Sequence, residues 1–264
     1  MSTATTHISI ENAKLAGMLE NDHLPMVVTG IASWSLPAGY TCPGALECLA
    51  KVIVTPEGKA KLIDGEDALF RCFEAVMEAR FPALRLNSAE NFALLRACKN
   101  DVEAMADVLA KAIAKTPRLV NLFRVHIGGD FFSANYLRAW FLTARRFPTM
   151  HFFAYTKSIR HLVSVGYFPN SDRNEAPSNF NIVASYGGRD DALIAEYGMR
   201  SATVVYSEAE AERRGLEIDH DDSLAAFGTE SFALLIHGTQ AKGTAASEAL
   251  KLITAQKKAA ALAA

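Results

Sequence analysis

Four cysteines in 264 residues are too few for a disulfide-stapled scaffold, and a chain of this length does not need one. No stretch of about 18 apolar residues exists, which excludes a membrane-spanning helix and predicts no membrane partner. The opening residues, MSTATTHISIENAK, lack a basic segment followed by an apolar one, so no secretory signal is expected. Neither sign of charge dominates. A net charge of −2 argues against a protein that coats nucleic acid, although a local basic groove is compatible with it. Neither a P-loop nor a catalytic triad is legible. These absences point to a cytoplasmic protein in a reducing compartment, where clustered cysteines are more often metal ligands or catalytic groups than disulfides.

Half of the residues are hydrophobic, enough to bury a large core. From Pro117 onward, β-prone apolar runs alternate with helical ones. LVNLFRVHI, HFFAYT, FNIVASY, SATVVYS and FALLIHG read as strands, apolar enough to be covered on both faces. SANYLRAWFLTARRF, SIRHLVSVGYF, DDALIAEYG, EAEAERRG and an alanine-rich stretch from about Thr244 read as helices. Upstream, Met26 to Leu36 reads as a strand and VIVTPEGKAKLI as a hairpin around Pro56-Glu57-Gly58. EDALFRCFEAVMEARF reads as one helix. A second covers about Ala89 to Lys115, after the N-cap types Asn87 and Ser88.

Six strands, five of them followed directly by helices, predict an α/β fold with parallel strands. A partial (β/α)6 TIM-like barrel and a doubly wound open sheet both fit. No linker rich in proline, glycine or serine is present. Residues 1–264 read as a single domain, with 1–25 a weakly structured lead-in, 49–65 a hairpin insertion and 256–264 a frayed tail.

In both architectures the functional site lies at the carboxyl ends of the strands. Glycines and polar residues collect there. His126, Gly128, Gly129 and Asp130 follow the second strand, and Tyr155, Thr156, Lys157 and Ser158 end the third. Ser185, Gly187, Gly188 and Arg189 end the fourth, and His237, Thr239 and Gln240 the last. Loops of any α/β protein are rich in such residues, but four clusters on one predicted rim point to a ligand site. Lys157 suits a Schiff-base or phosphate-binding lysine, and His126 and His237 suit acid–base groups. Each also fits a hydrogen-bonded structural role.

The segment SWSLPAGYTCPGALEC carries more information. Cys42 and Cys48 share one loop after the first strand, and Cys72 follows the hairpin insertion. Three thiolates with no fourth suit a metal or cluster that keeps one position open, whereas four usually close a structural site. Ordinary buried cysteine is the competing reading. Cys98 lies within a helical stretch and reads as a small core residue.

SWSLPAGYTCPG, FRVHIGGDFFSANYLRAW and FFAYTKS, in this order, resemble the phage "gene product 88" family, of uncharacterised function. That family in turn looks like a branch of the radical S-adenosylmethionine enzymes. The resemblance implies a partial barrel with a [4Fe–4S] cluster on Cys42, Cys48 and Cys72. It implies S-adenosylmethionine as the small-molecule cofactor, its amine held by Gly128-Gly129-Asp130, where relatives carry Gly-Gly-Glu. Phe73 matches an aromatic position beside the third cysteine. His126, Tyr155, Ser185 and His237 would complete the cofactor's surroundings, and Lys157 is the candidate catalytic group. If the chain is phage-encoded, its setting is the host cytoplasm. Two alternatives stay open: a nonredox barrel enzyme using a metal or a Lys/His site, and a catalytically inactive binding or host-takeover protein. The substrate is not legible.

Overall fold

The structure is a computed structural model that describes residues 5–10, 15–21, 23–169 and 171–263. Parts of the expected lead-in, and the last residue of the expected tail, lie outside the described residues.

The chain opens with β1 (Ser9–Ile10), a 3-10 helix (Leu15–Glu20) and β2 (Ile31–Trp34). A hairpin of β3 (Ala50–Val54) and β4 (Ala60–Asp64) follows, then the helices α1 (Phe73–Arg80), α2 (Pro82–Ala97) and α3 (Val102–Ile113). Strands and helices then alternate: β5 (Leu122–Val125), α4 (Ala134–Arg146), β6 (His151–Thr156), α5 (Ile159–Ser164), β7 (Phe180–Ser185), α6 (Ala192–Glu196), β8 (Ser201–Val205) and α7 (Glu208–Arg213). Last come β9 (Glu217–Ile218), α8 (Ser223–Phe227), β10 (Phe232–Leu235) and α9 (Ala245–Ala263).

Among the described residues eight strands form one sheet, in the order β1-β2-β5-β6-β7-β8-β10-β9. All neighbours are parallel except β1 on β2. The six longer parallel strands β2, β5, β6, β7, β8 and β10 lie side by side in chain order, so there is no point among them where strand order reverses. That excludes the doubly wound alternative. No closed barrel forms, because β1 and β9 are free edges of the sheet. The TIM-like expectation is corrected to an open, mostly parallel mixed α/β sheet.

Side chains alternate between the two faces of the sheet, as the strand period requires. Trp34, Phe123, Val125, Phe152, Ala154, Phe180 and Ile182 pack with Leu109, Leu137 and Trp140 of the helices. Ile31, Leu122, Phe153, Val183, Ala202 and Phe232 meet Leu15 and Met18 of the 3-10 helix and Ala225 and Ala226 of α8. Trp34 and Trp140 meet edge to face, with ring centres 6.4 Å apart. Such a pair adds about 1 kcal/mol beyond the area it buries.

Two helical expectations need correction. The helix expected over EDALFRCFEAVMEARF begins only at Phe73, because residues 66–71 turn back toward the cysteine loop. The helix expected from about Ala89 to Lys115 is two. Lys99 and Asn100 adopt left-handed backbone, φ +50° and +64°, and break it. Asp101 caps the second piece, its carboxylate accepting from the Ala104 amide at 2.8 Å. Asn87 and Ser88 are not caps. They lie inside α2, which starts at Pro82, a residue suited to the first helical turn.

Candidate functional site

The cysteine loop lies over the carboxyl ends of the parallel strands. Its backbone bonds the loop after β7: Leu46 and Glu47 amides donate to the Gly187 carbonyl, and Arg189 donates to that of Gly44. The hairpin then leaves and returns. Its ends meet where the Gly65 amide donates to the Leu49 carbonyl at 2.6 Å. The Leu69 and Phe70 amides both donate to the Glu47 carbonyl, at 2.8 and 3.2 Å. The segment before Cys72 is thereby tied to the residue before Cys48. Helix α1 is held over the loop by Glu78, whose carboxylate accepts from the Ala38 amide at 3.0 Å.

Cys42, Cys48 and Cys72 are half-buried free thiols brought to one region from two stretches of chain. Burial is the first cause that pushes all three up, Cys42 well above the ordinary thiol range and Cys72 to about 12. Charge on Cys48 or Cys72 raises Cys42, and charge on Cys48 raises Cys72. Cys72 sits at the N-cap of α1, where the Glu74 and Ala75 amides favour its thiolate without offsetting burial. Asp130 adds to the field on Cys42 and Cys48, and Lys157 opposes it on Cys48.

Asp130 is buried and fully engaged. One carboxylate oxygen accepts from the Phe131 amide at 2.7 Å and the Thr156 hydroxyl at 2.5 Å, and the other from the Lys157 amide at 2.9 Å. It ties the loop after β5 to the end of β6. The neighbouring helix is capped by Ser133, whose hydroxyl accepts from the Tyr136 amide. Lys157 is buried, its ammonium donating to the Ser185 hydroxyl at 2.6 Å and to the Tyr186 carbonyl.

The glycines on this rim admit the chain's own loops. A Cβ on Gly128 would stand 2.2 Å from Glu74 Cγ, and one on Gly44 would stand 1.9 Å from the Lys157 carbonyl oxygen. Gly129, at φ +81°, abuts Thr41 and Leu36. Phe73 is partly exposed, with its ring centre 5.3 Å from that of exposed His237.

Two candidates lie apart. His126 is buried in an aromatic cluster with Phe131, Tyr136 and Trp140, its Nε2 3.0 Å from the Tyr136 hydroxyl. Burial holds it down to about 3, so it is neutral in the fold. Tyr155 donates to Asp222 at 3.1 Å, and Arg124 lies over its ring and pairs with Asp222. This buried Arg124–Asp222–Tyr155 network escaped the sequence reading, although Arg124 is a charge inside an otherwise apolar strand. Glu47 and Glu74 were also passed over, each next to or near a singled-out cysteine.

Among the described residues, no group of three or more His, Cys, Asp or Glu side chains is arranged to hold a metal ion. The thiols of Cys42, Cys48 and Cys72 sense one another's charge without being gathered into a coordination shell. As a donor set, three soft sulfurs suit iron–sulfur or another thiophilic metal. Among the described residues no helix is long and apolar enough to cross a membrane.

No solved structure matches the chain. Two curated proteins do, over part of it. The "Gene 88 protein" of Mycobacterium phage L5 is 30% identical over 135 residues, which is 48% of each chain. The "Gene 88 protein" of Mycobacterium phage D29 is 30% identical over 138 residues, again 48% of each. The matched stretch thus spans about half the length of these relatives. The family model described as Gene product 88 matches residues 4–260, nearly the whole chain. The chain therefore belongs to the Gene product 88 family.

Proposed function

We propose that Cys42, Cys48 and Cys72 together hold a [4Fe–4S] cluster in a redox enzyme resembling the radical S-adenosylmethionine class. The observation that carries the reading is their convergence. A hairpin separates Cys48 from Cys72 in sequence, yet the Leu69 and Phe70 amides bond back to Glu47 and return Cys72 to the first two thiols. A cluster on three thiolates supplies one-electron chemistry and keeps one iron open to a cofactor. Lys157 favours the Cys48 thiolate, and the Glu74 and Ala75 amides favour that of Cys72. Six parallel strands in chain order give the proposed centre the carboxyl rim of an open sheet, where ligand sites of α/β folds collect.

S-adenosylmethionine enters the proposal through the resemblance of the cysteine loop and the Gly128-Gly129-Asp130 segment. Asp130 already accepts three hydrogen bonds, so its part is to position the loop rather than to offer an open carboxylate. A host cytoplasm is the proposed setting, and the phage origin of the two relatives supports it. Anaerobic reconstitution with iron and sulfide, followed by visible and electron paramagnetic resonance spectra, tests the reading. Charge-transfer absorption and a reduced-cluster signal support it, and a colourless, silent protein overturns it.

One observation favours a second reading, a nonredox enzyme centred on Lys157. Its ammonium contacts the Ser185 hydroxyl at 2.6 Å on the same rim. Activity that survives removal of all three cysteines and is lost in Lys157→Ala would select it.

A further inference from the structure

Strands β7 and β8 pair over only two residue pairs, Ala184↔Ser201 and Ser185↔Ala202. By contrast, β6 and β7 pair over five. Beyond the Tyr186 amide, which donates to the Ala202 carbonyl at 3.0 Å, the two strands part, and a cavity of about 460 Å³ opens between them and the cysteine loop. Tyr186, Tyr206, Leu69 and Phe70 wall it. Its size lies within the range of small-molecule sites, and aromatic walls with a few polar groups are the usual lining.

The charges at the cavity decide what it can take. Three carboxylates, Glu47, Asp191 and Glu210, face one guanidinium, Arg214. Arg214 is neutralised by Glu210 at 2.8 Å. Glu210 also accepts from the Tyr206 amide, and Asp191 accepts from the Gly187 and Gly188 amides. Glu47 is different. Its carboxylate lies over Gly187, near Tyr206, and accepts no hydrogen bond from any described residue. A phosphate or carboxylate ligand would meet repulsion from Glu47, with no free cation among the described lining residues to offset it.

We propose that this cavity binds an organic cation, a primary ammonium or guanidinium on a small flat or apolar body. Glu47 supplies the counter-charge, and the Tyr186 and Tyr206 rings supply the walls, where a cation also gains from the aromatic faces. The site needs no metal and goes beyond the cysteine centre, so either can fail alone.

The test is calorimetric titration of metal-free protein with tyramine and with agmatine, against 4-ethylphenol as neutral control and 4-hydroxyphenylacetate as anion. At least one cation should bind one-to-one and saturably, and more weakly as salt rises. The neutral control should bind less well, and the anion not at all. Glu47→Gln should weaken the cation about tenfold. That change leaves the Glu47 carbonyl, which holds the loop, untouched, and an unchanged melting temperature confirms the fold. Equal binding of the neutral control, full affinity in Glu47→Gln, or no saturable binding of either cation overturns the proposal.

Discussion

The Leu69 amide donates to the Glu47 carbonyl at 2.8 Å, and this contact turns a long excursion in sequence into a short distance in space. Between the two residues lie Cys48 and the whole β3–β4 hairpin. Loop closure grows only slowly more costly with length, so an insertion whose ends are pinned can separate partners without parting them. Mild copper-catalysed oxidation of dilute protein should therefore form intramolecular disulfides among Cys42, Cys48 and Cys72. Cys98 lies at the end of α2 with its thiol donating to the Leu94 carbonyl, and it should stay reduced. Peptide mapping by mass spectrometry reads the outcome. Disulfides that involve Cys98 in preference to Cys72 would contradict the convergence.

Asp130→Ala should destabilise the fold by about 3 kcal/mol. The change strands the Phe131 amide, the Thr156 hydroxyl and the Lys157 amide in a buried place. Urea unfolding checks it. A change within about 0.5 kcal/mol would mean that the carboxylate is not the clamp between β5 and β6.

Gly128→Ala should cost about 2 kcal/mol or more, because the new methyl meets Glu74. Adding Glu74→Ala removes the Cγ that stands 2.2 Å from that methyl. The two changes together should therefore cost less than their sum. A double-mutant cycle with no coupling would contradict the packing of α1 against the β5 loop.

His126 gives a pH signature. Burial first, and the Arg124 charge second, hold it down to about 3. Unfolded, the imidazole titrates near 6.5. Below that pH the unfolded chain takes up a proton that the folded chain refuses, so this group's contribution is present above 6.5 and falls with pH toward 3. Between pH 7.5 and 5 it should remove about 2 kcal/mol of stability. Asn tolerates left-handed backbone, which His126 adopts at φ +68°. His126→Asn should therefore flatten the pH dependence relative to the parent. Parallel urea midpoints across that range would show that the imidazole is not held neutral.

The parallel strands were legible because their apolar runs are long and bounded by polar residues. HFFAYT coincides with β6 residue for residue. What failed was punctuation without glycine or proline. Cys98-Lys99-Asn100-Asp101 looks helical, and only left-handed backbone at Lys99 and Asn100 ends α2 there. Asn87 and Ser88 look like caps, but both lie within α2, where Ser88 is buried. The rim glycines were legible as close approaches. What approaches, Glu74 at Gly128 and Lys157 at Gly44, was not, because it depends on how the hairpin brings α1 back. Strand order and the open edges also lay outside local pattern, since they depend on which distant runs pair.

The count of iron bound per chain after anaerobic reconstitution, measured on four single variants, tests the central claim most directly. The parent chain and Cys98→Ala should each hold about four irons. Cys42→Ala, Cys48→Ala and Cys72→Ala should each hold far fewer and lose the charge-transfer absorption, with folding confirmed by circular dichroism. Equal iron in Cys72→Ala and Cys98→Ala, or no iron in the parent chain, would contradict a centre shared by Cys42, Cys48 and Cys72.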